Sequence, residues 1–130
     1  MVAIRENTEN RIITDKFEGY WFDKDTLYLR YYEGVDITLA DVEVSIQFQK
    51  KQGLNTDHCR IIHAEKYVTI SKEAREYVQD NAPTVKADAY VVPSLPLKII
   101  FNLYSKLRKN TNPIKAFDYL EDALSWLKKM

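Results

Sequence analysis

The sequence predicts a single α/β domain on a mixed, mostly parallel sheet that opens with an antiparallel hairpin. Three observations predict it. Short apolar runs alternate with longer segments whose apolar residues recur at helical spacing. Those longer segments begin beside Thr38, Ser71, Ser94 and Asp118, whose side chains accept hydrogen bonds from the free N–H groups of a helix start. Two aromatic-rich runs separated by a short polar turn precede this alternation. Strands joined through intervening helices need crossover connections, so every strand after the opening one is expected to run parallel.

Met1 to about Asn10 is polar and is expected to be only loosely attached to a domain that otherwise spans residues 1–130. Phe17 to Phe22 and Leu27 to Tyr32 flank Asp23-Lys24-Asp25-Thr26, whose short polar side chains favour a turn, and the pair reads as a β-hairpin. Residues 38–52 support two readings. Val42, Val44, Ile46 and Phe48 alternate with polar residues, as in a strand, whereas Thr38 with Asp41 three positions on and Gly53 as a stop describe a helix. Cys59 to Ala64 is an apolar strand, and Ser71 opens a helix that runs to residue 81 before Pro83 breaks the pattern. Ala87 to Val92 forms the next strand. Ser94 and Pro96 then start a helix to Lys109, with Leu97, Ile100, Phe101, Tyr104 and Leu107 at helical spacing. Beyond Pro113, Ile114 to Phe117 is a last strand. Asp118 and Glu121 form a capping-box-like pair at the head of a final helix to residue 129, with Leu120, Ala123, Leu124 and Leu127 on one face.

The stretch from Cys59 to Val78, and Ile70-Ser71-Lys72-Glu73-Ala74-Arg75 within it, resembles the strand-turn-helix that carries the phosphorylatable serine of SpoIIAA-like (STAS) domains. Ile37-Thr38-Leu39-Ala40-Asp41-Val42 resembles a helix start of the same group, and this selects the helix for residues 38–52. With Glu121-Asp122-Ala123-Leu124-Ser125-Trp126-Leu127, the resemblance spans Phe17 to Met130 and points to small bacterial proteins of the STAS and SEC14-like type. It implies the order β-β-α-β-α-β-α-β-α. It also implies a non-catalytic regulatory or protein-interaction domain, with a carrier of a small apolar ligand or lipid as the SEC14-like alternative and an enzyme using His63 as the third reading. Ile70, Lys72 and Glu73 stand where the SpoIIAA-like turn carries aspartate, serine or glycine, so a switch at Ser71 competes with plain helix capping.

Composition narrows the function classes. A chain of 130 residues removes roughly two thirds of its unfolded surface from water, enough for one core. Its 19 basic and 19 acidic residues balance, so no overall field draws it to nucleic acid. The lone Cys59, the polar start and the absence of an apolar run near the roughly 20 residues of a membrane span predict a cytoplasmic protein without an integral membrane segment.

Parallel strands bring their strand-to-helix turns to one edge, where open α/β sheets bind ligands. Ser71, Ser94 and Asp118 are expected there, joined by Thr38, and His63 ends its strand at this edge close to Glu65. The expected ligand or partner edge is therefore His63, Glu65, Ser94 and Asp118. His58, Cys59 and His63 suggest metal only until strand geometry is applied: Cys59 and His63 lie roughly 13 Å apart on one face, and His58 points to the other. No metal or other cofactor is expected. Nine tyrosines, five phenylalanines and two tryptophans are many for one small core, so association with a protein partner or a second copy is expected through Tyr20, Trp21 and Phe22, or through Ile99 and Leu103. Lys98, Lys106 and Lys109 share the opposite side of that helix, as a wet face or a dock for an acidic partner.

Overall fold

A computed structural model of the chain describes residues 2–93, 96, 98, 99 and 112–130. Strands β1 (Ile4–Asn7), β2 (Arg11–Thr14), β3 (Phe17–Trp21) and β4 (Thr26–Tyr31) follow one another as a meander. Then come β5 (Asp36–Ile37), α1 (Leu39–Lys51), β6 (Cys59–Ala64), β7 (Thr69–Ile70), α2 (Lys72–Asn81), β8 (Ala87–Val91), β9 (Ile114–Phe117) and α3 (Leu120–Leu127). Among the described residues the main sheet has seven strands in the order β1-β2-β3-β4-β6-β8-β9, antiparallel up to β4 and parallel from β4 to β9. A second sheet pairs β5 with β7 in parallel. The expected α/β mixed sheet is present. Its antiparallel part is larger than the single hairpin predicted.

The start of the chain is the main correction. Residues 4–7, expected to be loosely attached, form β1, and β2 behind it is held by a tight turn in which buried Thr14 Oγ1 accepts from the backbone N–H groups of Lys16 and Phe17 at 3.1 and 3.0 Å. Edge strand β1 has no buried residue, so it carries no alternating pattern to read. Strands β5 and β7 have two residues each, too few for any period.

Residues 38–52 are helical. The Thr38 and Asp41 side chains cap each other's backbone, and Lys16 Nζ reaches the same buried Asp41 at 3.0 Å. Asp41, Val42, Ser45, Ile46, Phe48 and Gln49 are buried, a helical stripe that the polar members hide in the sequence. Ser71 caps α2, its Oγ accepting from the Ala74 N–H at 3.1 Å. The Asp118–Glu121 capping box does not form: α3 starts one residue later, with Tyr119 at the cap position making no side-chain bond, and Asp118 is instead ion-paired with Lys98. Pro96, Lys98 and Ile99 are helical, and the rest of the helix predicted over 94–109, including Ser94, Leu103, Lys106 and Lys109, lies outside the described residues.

The pleat sorts side chains into two cores. On one face Ile12, Phe17, Leu27, Leu29 and Tyr31 pack against Val42 and Phe48 of α1 and Ala74 of α2. Gly19 makes this packing close: a Cβ there would meet Leu29 Cδ2 at 2.6 Å and Phe48 Cε2 at 3.2 Å. On the other face Cys59, Ile61, Ala87, Ala89 and Val91 receive Ala123 and Leu127 of α3, small residues on both sides letting helix and sheet approach. Each fully buried aliphatic or aromatic side chain contributes about 1.5–3 kcal/mol, so the two cores hold the sheet from both sides.

One charged pair is buried in the first core. Arg60 grips Asp88 with two parallel bonds of 2.6 and 3.0 Å and donates to Gln49 Oε1 at 2.8 Å and to the Pro83 carbonyl at 2.9 Å, while Asn112 donates to the same carboxylate. This network joins β6, β8, α1 and the segment after α2 at the end of the parallel strands opposite to their carboxyl edge.

Candidate functional site

The register assembles, on the face that receives α3, a row whose middle members Glu18, Arg30 and His63 are polar and whose ends are apolar. Ile13, Glu18, Arg30, His63, Val91 and Phe117 are successive partners across β2, β3, β4, β6, β8 and β9. Neighbouring strands lie about 4.8 Å apart, so these residues stand side by side. Glu18 bonds Arg30 at 2.8 Å, Arg30 lies 3.8 Å from Glu65, and its guanidinium stacks over the Tyr32 ring at 4.9 Å. Glu65 in turn meets His63 Nε2 at 3.2 Å, and His63 Nδ1 bonds the Tyr28 hydroxyl at 2.7 Å. A continuous chain of contacts therefore runs Glu18, Arg30, Glu65, His63, Tyr28 at the carboxyl edge of the parallel strands.

The tautomer follows from the partners. A carboxylate only accepts, so neutral His63 carries its proton on Nε2 towards Glu65, and Nδ1 accepts from the Tyr28 O–H. Burial lowers the His63 pKa, outweighing the opposing pull of Glu65, so the ring is neutral near pH 7. Tyr28 is displaced further: burial, then Tyr20, raises its hydroxyl well above the ordinary tyrosine range, with Glu18 and Glu65 adding and Arg30 opposing. Tyr28 and His63 are bonded as a nucleophile and a base would be, with Glu65 beside the ring, but their electrostatics hold the proton on Tyr28. Cys59 is on the same face at the far end of β6, buried, with its thiol pushed up by burial despite Lys86. Among the described residues no three His, Cys, Asp or Glu side chains converge as metal ligands. His58 instead accepts from the Asn55 N–H at 3.1 Å and meets the edge of Trp21.

Two large side chains stand out of this edge. Tyr67, in the loop after β6, is 75% exposed and has a left-handed backbone with φ of 63°. Tyr119, between β9 and α3, is 66% exposed. β6, which leads to Tyr67, and β9, which leads to Tyr119, are two strand positions apart, roughly 10 Å, and both lie on the side of β4 away from Glu18.

The expected edge residues are thus partly assembled. His63 and Glu65 touch; Asp118 follows Phe117 of the same row but turns to Lys98; Ser71 is at this edge beside Thr38, its N–H bonding the Ile37 carbonyl at 3.1 Å. Ser94 lies outside the described residues. Of the expected association surface, Tyr20 packs on Tyr28 with ring centroids 5.4 Å apart, and Trp21, on the opposite face, donates to Gln52 Oε1 at 2.8 Å. Phe22 is exposed at the far end of the hairpin, Ile99 is exposed, and Leu103 is not among the described residues. Glu18 and Arg30 carry no local signature of a site in the sequence, and Tyr28 reads there only as one of the aromatic residues of the hairpin. The hairpin register held the signal for two of them, since the turn after Trp21 sets residue 18 opposite residue 30. An open depression is lined by Asn10, Arg11, Glu18, Tyr20 and Trp21. No described helix is long and apolar enough to cross a membrane.

No curated protein and no solved structure matches this chain. Residues 20–130, which contain Tyr28, Arg30, His63, Glu65 and both exposed tyrosines but not Glu18, match the model of the domain of unknown function DUF7793, and the protein belongs to that family.

Proposed function

We propose that this protein is a non-catalytic binding domain, SpoIIAA-like in kind, that engages a protein partner through the carboxyl edge of its parallel strands. The observation that carries the reading is the pair of exposed tyrosines, Tyr67 and Tyr119, at the same strand ends as a charged row fixed by its own hydrogen bonds. Tyrosine supplies large contact area at low entropic cost and is enriched where binding energy concentrates, and a pre-ordered polar row adds orientation without further ordering. Tyr67 adds weight, because a left-handed tyrosine works against folding and contributes little burial in return. The non-catalytic half of the reading is supported by the elevated Tyr28 hydroxyl and the buried, elevated Cys59 thiol, neither of which is an activated nucleophile. The lone cysteine, which cannot form an internal disulfide, favours a reducing compartment such as the cytoplasm.

Native mass spectrometry of the chain taken gently from cells that make it tests this reading. The expected result is a defined complex that is lost in Tyr67→Ala and in Tyr119→Ala and kept in Phe22→Ala. A complex that survives both edge substitutions and dissociates in Phe22→Ala would move the contact to the hairpin, and a bare monomer would overturn the binding reading.

A further inference from the structure

We propose that His63 is a proton-operated element whose two charge states present the contact edge differently, through Glu65 and the loop that carries Tyr67. The inference takes its biological meaning from the contact edge, but its physical content stands on the geometry of the ring. In the neutral state the two ring nitrogens meet groups of opposite polarity: Nε2 lies 3.2 Å from the Glu65 carboxylate, a close electrostatic contact, and Nδ1 takes a hydrogen bond from Tyr28 at 2.7 Å. Protonation leaves no acceptor on the ring. The Tyr28 O–H must then turn away from Nδ1, and Tyr28, only 5% exposed, has little access to water for a replacement. On the other side, the imidazolium and Glu65 become a true ion pair, which competes with the Arg30 contact at 3.8 Å and shifts Arg30 towards Glu18 at 2.8 Å.

Glu65 transmits the change because it is the first residue beyond β6, its backbone N–H anchored to the Tyr31 carbonyl at 3.1 Å, and Tyr67 follows two residues later. The Lys66 carbonyl receives the Gly34 N–H at 2.9 Å, so a movement of Glu65 acts on a loop tied at one further point rather than on a free tail. Among the described residues, the charged groups acting on His63 are Glu65 on its own chain and Arg30 on β4, with Tyr28 on β4 bonded to the ring; Glu18 and Tyr20 on β3 lie one contact further, against Arg30 and Tyr28, and Val91 on β8, with Phe117 on β9 beyond it, is uncharged. Burial lowers the proton affinity of the ring, so the transition falls on the acid side of 6.5.

Nuclear magnetic resonance of the intact chain between pH 8 and pH 4.5 tests this without any partner. The His63 ring signals and the backbone amides of Glu65 and Tyr67 should move with one shared midpoint, while the Gly53 amide, beyond α1, does not follow it. Tyr28→Phe removes the donor that favours the neutral ring and should raise the midpoint by about 0.5 to 1 pH unit, and Glu65→Gln should lower it by a similar amount. His63→Gln should abolish the step at Tyr67. A Tyr67 amide that stays still through the His63 midpoint overturns the coupling, and so does a step at Tyr67 that persists in His63→Gln. Should a variant fail to fold, the wild-type comparison of midpoints still decides. Because no partner is present, failure here leaves the contact-edge reading standing, and failure of that reading leaves this titration unchanged.

Discussion

Replacing Tyr67 separates the cost of its backbone from the use of its side chain. A left-handed conformation costs a residue with a Cβ about 1–2 kcal/mol, and φ of 63° puts Tyr67 in it. A fully buried tyrosine removes 150–250 Å² from water, so a ring that is 75% exposed loses roughly 50 Å², worth about 1 kcal/mol. Glycine relieves the strain but adds about 0.5–1 kcal/mol of unfolded-state entropy. Tyr67→Gly should therefore leave stability within about 1 kcal/mol of the wild type. Asparagine tolerates the left-handed region without the entropy of glycine, so Tyr67→Asn should be at least as stable as Tyr67→Gly, whereas β-branched Tyr67→Val should fall about 2 kcal/mol below Tyr67→Asn. Urea unfolding followed by far-ultraviolet circular dichroism gives the order. All three variants should lose the partner. A loss above about 2 kcal/mol in both Tyr67→Gly and Tyr67→Asn would refute the reasoning, because it would make Tyr67 a structural residue rather than a contact held at a stability cost.

Ser71→Ala should cost about 1 kcal/mol and Ser71→Asp should be neutral in the same unfolding assay, since aspartate accepts the Ala74 N–H as serine does; intact-mass analysis of cell-derived protein that finds Ser71 stoichiometrically phosphorylated would add a switch to the cap. Gly19→Ala should destabilise by about 1–3 kcal/mol, because Leu29 and Phe48 are buried and cannot retreat from a Cβ at 2.6 and 3.2 Å; an unchanged urea midpoint would show that the sheet and α1 part easily. Alkaline stability follows from Tyr28 and Tyr31, whose hydroxyls burial holds protonated, Tyr31 up to about 12. A raised folded-state pKa gives stability that is complete below the ordinary value near 10 and is lost as pH rises, so unfolding free energy should fall from about pH 10 upward, Tyr31 alone accounting for roughly 2–3 kcal/mol, and Tyr31→Phe should flatten that share.

Much of this architecture is readable in the sequence where local chemistry and period agree. The helices at Thr38 and Ser71 are announced by their caps, and the strands from β3 to β9 of the main sheet by short apolar runs. Elements whose stabilisation is not local are hidden. β1 is made by pairing to β2, with no buried face, and β5 and β7 exist because two strand-to-helix segments pass side by side. The Asp118 box misled because an ion pair with Lys98 competes for the carboxylate. At the site, His63 and Glu65 are neighbours in the chain and were visible; Tyr28 reaches His63 across 35 residues, through a strand pairing that no local pattern reports. The exposure of Tyr67 and Tyr119 is equally invisible, since a tyrosine reads the same in a core and on an edge.

Site-specific photo-crosslinking in cells tests the central claim most directly. A photoreactive phenylalanine derivative at position 67 and another at position 119 report on the carboxyl edge, and one at position 22 reports on the opposite end of the hairpin. The account predicts the same single partner adduct from positions 67 and 119 and none from position 22. An adduct from position 22, with none from either edge position, would contradict it.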